Sequence, residues 1–135
     1  MGHETDGTSY ERGLKNLVES VPGAFSANLT GRDGIGIASY LSREAVPSQG
    51  PAVADLSLID AEFATMLTTV SRSLKNIEAG EVDEMVFSSD RATYLLKMVG
   101  GDFFLALGLA TGRSNLGMAR LRLRWAAREF SRLLL

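Results

Sequence analysis

Residues 21–40, VPGAFSANLTGRDGIGIASY, predict a β-hairpin around which the other elements can be placed. Apolar residues lie on both sides of a polar turn at residues 31–34. Asp33-Gly34 is a strong hairpin signal, since tight turns require positive φ angles that Asp and Gly tolerate best. Pro22-Gly23 is expected to end the element before the first strand, because proline disfavours helical geometry in the residue before it.

The composition is that of an ordinary globular domain. The chain has 135 residues, of which 45% are hydrophobic and 22% charged, enough for one domain with a real core. The absence of cysteine excludes disulfides, thiolate nucleophiles and cysteine-bound metals, and it suits the cytoplasm. No stretch has the pattern of a signal peptide or the roughly 20 apolar residues of a membrane span. We therefore expect a cytoplasmic protein that does not insert into a membrane.

The N-terminal part is expected to hold a short tail and the first helix. Residues 1–8 are predicted to be a flexible tail, and residues 9–135 a single domain. Thr8 and Glu11 have the spacing of a capping box, in which a hydroxyl and a carboxylate satisfy free amides at a helix start. An apolar stripe with helical spacing follows, formed by Tyr10, Leu14, Leu17, Val18 and Val21.

A second helix is predicted after a loop at residues 42–55, which contains two prolines and a glycine. Ser57 and Asp60 have capping-box spacing at its start, and Gly80 suits the left-handed position that ends a helix. One face is apolar and is expected to lie on the sheet. It consists of Ile59, Phe63, Met66, Leu67, Val70, Leu74 and Ile77.

Three strands and a third helix complete the chain. The strand-like runs are Val82–Ser88, Ala92–Val99 and Phe103–Leu109, joined by short turns that make the sheet antiparallel. The last helix is predicted from Asn115 to about Leu133. Its core stripe is Leu116, Ala119, Leu123, Ala126, Ala127, Phe130 and Leu134. The fold class is therefore α+β, a five-stranded antiparallel sheet with helices on both faces.

This element order, α-β-β-α-β-β-β-α, resembles the Roadblock (dynein light-chain) family, particularly its bacterial and archaeal MglB-like type. The resemblance covers roughly residues 10–134. It is carried by PGAFSANLTGRDG, the Gly80 helix stop, Gly101-Asp102-Phe103-Phe104-Leu105 and Asn115-Leu116-Gly117-Met118-Ala119-Arg120. The resemblance implies a partner or regulator of a small Ras-like GTPase. In MglB-type proteins a dimer repositions switch elements of the GTPase without inserting an arginine finger.

Recognisable catalytic chemistry is absent from the sequence. The one histidine, His3, lies in the expected tail, so a serine–histidine–acid triad is not expected. The glycines at 31–36 sit in a strand–turn–strand, whereas nucleotide-binding glycine motifs open a helix. Acidic residues around 78–84 are interpreted as solvent-exposed, with an acidic rim for a basic partner as the alternative. We expect no enzyme activity, cofactor, metal or small-molecule substrate.

The second helix and the strand after it are the expected dimer interface. Roadblock-like proteins generally dimerise there, which the resemblance extends to this chain. The outer face of the helix carries mostly short side chains, and an uncovered apolar edge strand favours aggregation unless it is paired. The predicted homodimer interface comprises Ala61, Thr65, Thr68, Arg72, Met85, Val86 and Phe87. A solvated helix face is the alternative for the helical residues.

A second binding surface is suggested by the last helix. Residues 113–135 carry six arginines against one acid, Glu129, in a chain whose net charge is −2. Trp and Arg are typical interface anchors, and several lie away from the core stripe. The possible partner patch is Met118, Leu121, Trp125, Arg128 and Arg132. Packing against the first helix is the alternative, and nucleic acid is not expected because no companion basic surface exists.

The expected function is therefore a non-enzymatic, homodimeric regulator of a small Ras-like GTPase, stimulating hydrolysis or exchange. A structural adaptor subunit, as in dynein light chains, is the alternative with no effect on nucleotide turnover. A small-ligand sensor is a third class, for which the sequence offers no convergent polar cluster.

Overall fold

The computed structural model describes the backbone of residues 2–46 and 56–134, and the side chains of residues 9–46 and 58–134. The predicted element order is confirmed. The elements are α1 (Gly2–Ser20), β1 (Ala24–Gly31), β2 (Gly36–Leu41), α2 (Leu56–Asn76), β3 (Glu84–Ser88), β4 (Ala92–Val99), β5 (Phe103–Ala110) and α3 (Leu116–Leu134). No helix among these residues is both long enough and apolar enough to span a bilayer.

The five strands form one antiparallel sheet in the order β2-β1-β5-β4-β3. The hairpin predicted at residues 21–40 pairs β1 with β2, and Gly34 in its turn has a φ of 89°. Strands β1 and β5 are central, which places β2 and β3 at the two edges of the sheet.

Successive residues of the central strands point to opposite faces of the sheet, as strand geometry requires. Leu95 and Leu105 belong to a core shared with α1 and α3, whereas Leu96 and Phe104 belong to a core shared with α2. The prediction of helices on both faces is therefore confirmed, with two helices on one face and one on the other.

Helix α1 begins earlier than the capping box at Thr8 predicts, because its backbone is helical from Gly2. No proline interrupts this segment, and a single glycine inside a helix costs only about 1 kcal/mol. The flexibility expected of residues 1–8 stays a prediction. The side chain of His3 lies outside the described residues, as does most of the loop predicted at 42–55.

Two predictions about helix α2 are wrong. Asp60 is buried under the helix, where it hydrogen-bonds to β1, instead of facing the helix start as a capping residue. Gly80 is not the C′ residue, because the helix ends at Asn76 and Glu78 adopts the left-handed conformation with a φ of 56°. The Ala79 amide donates to the Leu74 carbonyl at 2.8 Å, which makes this end a Schellman motif.

Three residues assigned to core stripes are exposed. Leu116 is 43% exposed and is the first residue of α3, in which the first buried residue is Ala119. Ile77 is 72% exposed because it follows the last residue of α2. Met66 is also exposed, on one flank of α2. A helical period identifies a face correctly but does not define where along the helix the contact with the sheet stops.

Candidate functional site

Helix α2 is attached to the sheet by a buried carboxylate. The Asn28 amide and the Thr30 hydroxyl, both on β1, each donate a hydrogen bond of 2.8 Å to Asp60 Oδ1. All three side chains are buried. A Cβ built on Gly36 of β2 would lie only 2.4 Å from Asp60 Oδ2, so the absence of a side chain there makes room for the carboxylate.

The sequence contained a signal for this network that the capping interpretation missed. Asn28 and Thr30 lie two residues apart on β1, so both side chains face the same side of the sheet. Asp60 interrupts the apolar stripe of α2 directly after Ile59. Buried polar groups need hydrogen-bond partners, so these polar residues of β1 and α2 could be expected to bond to one another.

One flank of α2 faces the β1–β2 turn across a groove with a volume of about 380 Å³. The four helical residues predicted for the dimer interface line this groove, namely Ala61, Thr65, Thr68 and Arg72. Arg32 lines the other side, and its guanidinium donates to Ser71 Oγ at 2.8 Å. The groove therefore combines two arginines, Asp33 and threonine hydroxyls along one helix.

The opposite flank of α2 faces β3. The Phe63 ring lies 5.3 Å from the Phe87 ring and 5.1 Å from the Tyr94 ring, both in edge-on geometry. Burial in this cluster raises the pKa of the Tyr94 phenol. Met66 and Val70 follow Phe63 at helical spacing and continue this flank toward the C-terminal end of α2.

The structure therefore does not bring the two halves of the predicted dimer interface together. Met85 and Phe87 pack on the core under α2 beside Phe63, while Thr68 and Arg72 lie on the far flank of the same helix. The sequence shows which helix face is exposed, but the side of α2 that lies beside β3 depends on how the helix crosses the sheet.

Within residues 2–46 and 56–134, no strand pairs with the outer edge of β3. The Met98 amide donates to the Asp83 carbonyl at 2.9 Å, and the pairing with β4 continues from there without a bulge. Antiparallel pairs alternate between hydrogen-bonded and non-hydrogen-bonded positions. The backbone groups of Glu84, Val86 and Ser88 therefore point away from β4, and the Val86 side chain is 42% exposed.

The possible partner patch on α3 is exposed as predicted, but its members lie in different surroundings. Trp125, which is 47% exposed, lines a trough between α1 and α3, with the Arg122 guanidinium 5.1 Å from the centre of its ring. Met118 and Leu121 are exposed outside that trough. Arg132 is paired with Glu129 at 3.4 Å, and Arg128 is exposed.

Among the described side chains, no three acidic or histidine residues are close enough to hold a metal ion. The one carboxylate buried among them, Asp60, is occupied by two hydrogen bonds inside the fold. The surface described above therefore offers three candidate features, namely a groove, the outer edge of β3 and an apolar trough.

Several solved structures share this fold. One described as MglB with tetrameric arrangement is 19% identical, with a TM-score of 0.83 over 95% of this chain and 89% of its own. A Roadblock/LC7 domain from Streptomyces avermitilis is 15% identical, with a TM-score of 0.78 over 92% and 96%. MglC from Myxococcus xanthus is 27% identical, with a TM-score of 0.60 over 91% and 97%. No family model and no curated protein matches the sequence.

Proposed function

We propose that this chain, which has the Roadblock/LC7 fold, is a homodimeric, non-enzymatic regulator of a small Ras-like GTPase. The sequence resemblance to MglB-like proteins and the likeness to MglB and MglC structures support this role. The observation that carries the proposal is that α2 has two separate exposed flanks. One flank lies beside a free strand edge and the other lines a groove, so a dimer contact and a GTPase contact can coexist.

The dimer contact is assigned to the β3 edge and the adjoining flank of α2. Edge strands with exposed backbone groups pair readily, and β3 pairs with β4 without a bulge. The other edge strand, β2, carries an irregularity at Ile37, which has no direct partner because Leu29 pairs with Ala38 and Thr30 with Gly36, and such bulges discourage further pairing. A two-fold axis at Val86 would join two sheets and bring Met66 and Val70 into the interface.

The GTPase contact is assigned to the groove between α2 and the β1–β2 turn. It retains Thr65, Thr68 and Arg72 from the original prediction as partner-binding residues instead of dimer residues. The exposed Arg72 and the threonine hydroxyls can meet the polar switch segments of a GTPase, and Asp60 holds the groove wall in place.

The dimer assignment is tested by Val86→Pro. Proline removes only the outward-facing amide, so the β3–β4 ladder stays intact while one bond across the dimer edge is lost. Light scattering should show a dimer for the wild type and a monomer for the variant, with thermal unfolding reporting that the fold is retained. Val86→Thr keeps the amide and serves as the control. A dimeric Val86→Pro protein would contradict this assignment.

The GTPase assignment is tested by affinity capture from lysate of the native host, followed by binding to the purified GTPase. Capture is performed with a non-hydrolysable GTP analogue and with GDP, and bound proteins are identified by mass spectrometry. We expect a small GTPase that is enriched with the GTP analogue and lost with Thr68→Arg, which fills the groove. Thr111→Arg, at an exposed site after β5, is the matched control.

The structural adaptor is distinguished by the same experiment. Retention of a large assembly in equal amounts with both nucleotides, together with unchanged GTP hydrolysis, would replace the regulator by the adaptor. Loss of the GTPase in Val86→Pro but not in Thr68→Arg would move the contact from the groove to the dimer edge.

A further inference from the structure

A trough between α1 and α3 lies on the face of the sheet opposite α2, and its volume is about 520 Å³. Leu17 and Phe130 are buried beneath it, while Trp125 and Leu133 line it with about half of their side-chain surface exposed. Exposed apolar surface that is concentrated in one depression marks interaction sites on proteins. This trough is separate from the surfaces assigned to the dimer and the GTPase.

The walls of the trough are held close together by specific packing. A Cβ built on Gly13 of α1 would lie 2.8 Å from an atom of the Phe130 ring, so glycine permits the contact between the helices. Tyr10 stacks on Phe130 at 6.0 Å, and its hydroxyl donates to the Leu133 carbonyl at 3.3 Å. The trough is therefore preformed, which reduces the entropy cost of binding.

The charges around the trough select the chemistry of its occupant. Arg12 on α1 and Arg122 on α3 line it, and Glu129 is the one acid among the lining side chains that the structure describes. Glu129 is already paired with Arg132. The unpaired charge at the rim is therefore positive, on a chain whose net charge is −2.

We propose that this trough is a docking site for an acidic amphipathic helix of a partner protein. The lining of α3 extends from Arg122 to Leu133, about 17 Å or three helical turns, which matches a helix lying lengthwise in a groove. Its apolar face would contact Trp125 and Leu133, and its acidic flanks would meet the arginines. A second copy of this chain is the less favourable occupant, because self-pairing through the same surface brings the same arginines together.

The test selects ligands from a displayed library of helical peptides of about 16 residues, using the full-length protein as bait. Enriched peptides should be amphipathic with net negative charge, and they should shift the fluorescence of Trp125, the only tryptophan. Affinity should fall at least about tenfold in Trp125→Ser. Met118→Ser removes another exposed apolar side chain of α3, which lies outside the trough, and should leave affinity unchanged.

Charge is tested separately with Arg12→Glu, an exposed position on α1 that keeps the apolar trough intact. This variant should weaken the binding of the acidic peptides, and it remains informative if Trp125→Ser fails to fold. Absence of enrichment, enrichment of basic peptides, or equal binding to the Trp125→Ser and wild-type proteins would overturn the proposal. A lower mass of Trp125→Ser in sedimentation equilibrium would identify a second copy as the occupant and would also overturn it.

The result is independent of the GTPase proposal. Trp125→Ser should leave GTPase capture unchanged, and Thr68→Arg should leave peptide binding unchanged, because the two sites lie on opposite faces of the sheet. Peptide binding therefore tests the trough proposal, and GTPase capture tests the groove proposal, independently of each other.

Discussion

The two faces of the sheet are stabilised by different kinds of interaction. On the α1/α3 face the core is large and apolar, with contributions from both helices and from strands β1, β4 and β5. On the α2 face a smaller apolar cluster is accompanied by the buried Asp60 network. The first face thus depends on packing, and the second on packing together with directional hydrogen bonds.

The difference suggests a division of roles between the faces. Apolar burial is non-directional and roughly proportional to area, so the α1/α3 face supplies stability mainly through the apolar surface that it buries. Hydrogen bonds to Asp60 require defined distances and angles, so they specify where α2 lies relative to the β1–β2 hairpin. Both surfaces assigned to α2, namely the groove and the flank of α2 that faces β3, depend on that placement.

The largest expected effect is on the apolar face. Phe130→Ala should reduce the free energy of unfolding by about 3–5 kcal/mol, because it leaves a cavity between α1 and α3. Leu133→Ala, at a half-exposed position on the same helix, should reduce it by only about 1 kcal/mol. Urea unfolding measures both, and similar losses in the two variants would show that the helix pair does not carry the stability of this face.

The Asp60 network should have an intermediate effect that separates stability from placement. Asp60→Leu should cost about 2–3 kcal/mol, since the Asn28 and Thr30 donors lose their acceptor. The triple variant Asp60→Leu, Asn28→Leu and Thr30→Val should recover most of that stability, because the two donors of the network are then removed together with their acceptor. Binding of the purified GTPase should stay weakened in the triple variant. Full recovery of binding would contradict the placement role.

Gly36→Ala tests how tightly the carboxylate is enclosed. The added methyl group would press on Asp60 Oδ2 and should cost about 1–3 kcal/mol, although Gly36 is itself exposed. The cost should shrink in an Asp60→Ala background, where the double-mutant cycle reports the coupling. Gly117→Ala on α3 is the control and should stabilise the helix by about 1 kcal/mol. Equal effects of Gly36→Ala in both backgrounds would show that the strand, and not Asp60, resists the methyl group.

The smallest expected effect lies at the end of α2. Glu78→Gly should stabilise the protein by about 1 kcal/mol, because glycine adopts the left-handed conformation that Glu78 holds at a cost. Gly80→Ala, where φ is 91°, should destabilise it by a similar amount. Thermal unfolding measures both variants, and binding by either face of the sheet should not change. Destabilisation by Glu78→Gly would mean that the glutamate makes a compensating contact.

Much of the fold could be predicted from local signals. Pro22-Gly23 and Asp33-Gly34 act on the backbone within a few residues, and apolar periods of two and 3.6 residues identify buried faces wherever they occur. The exposure of Trp125 on α3 was likewise evident, because a helical period assigns each residue to a face. These features require no knowledge of distant parts of the chain.

The element order, the antiparallel sheet and the exposed faces of the helices could all be read from the amino-acid sequence, because they follow from short-range backbone preferences. Only the tertiary structure decided that Asp60 meets Asn28 and Thr30, that Arg72 lies away from β3, and that Trp125 borders a trough with α1. Each of these facts joins residues from elements far apart in the chain. Their meeting depends on the angles and offsets at which helices cross the sheet, and these are set by packing of the whole core.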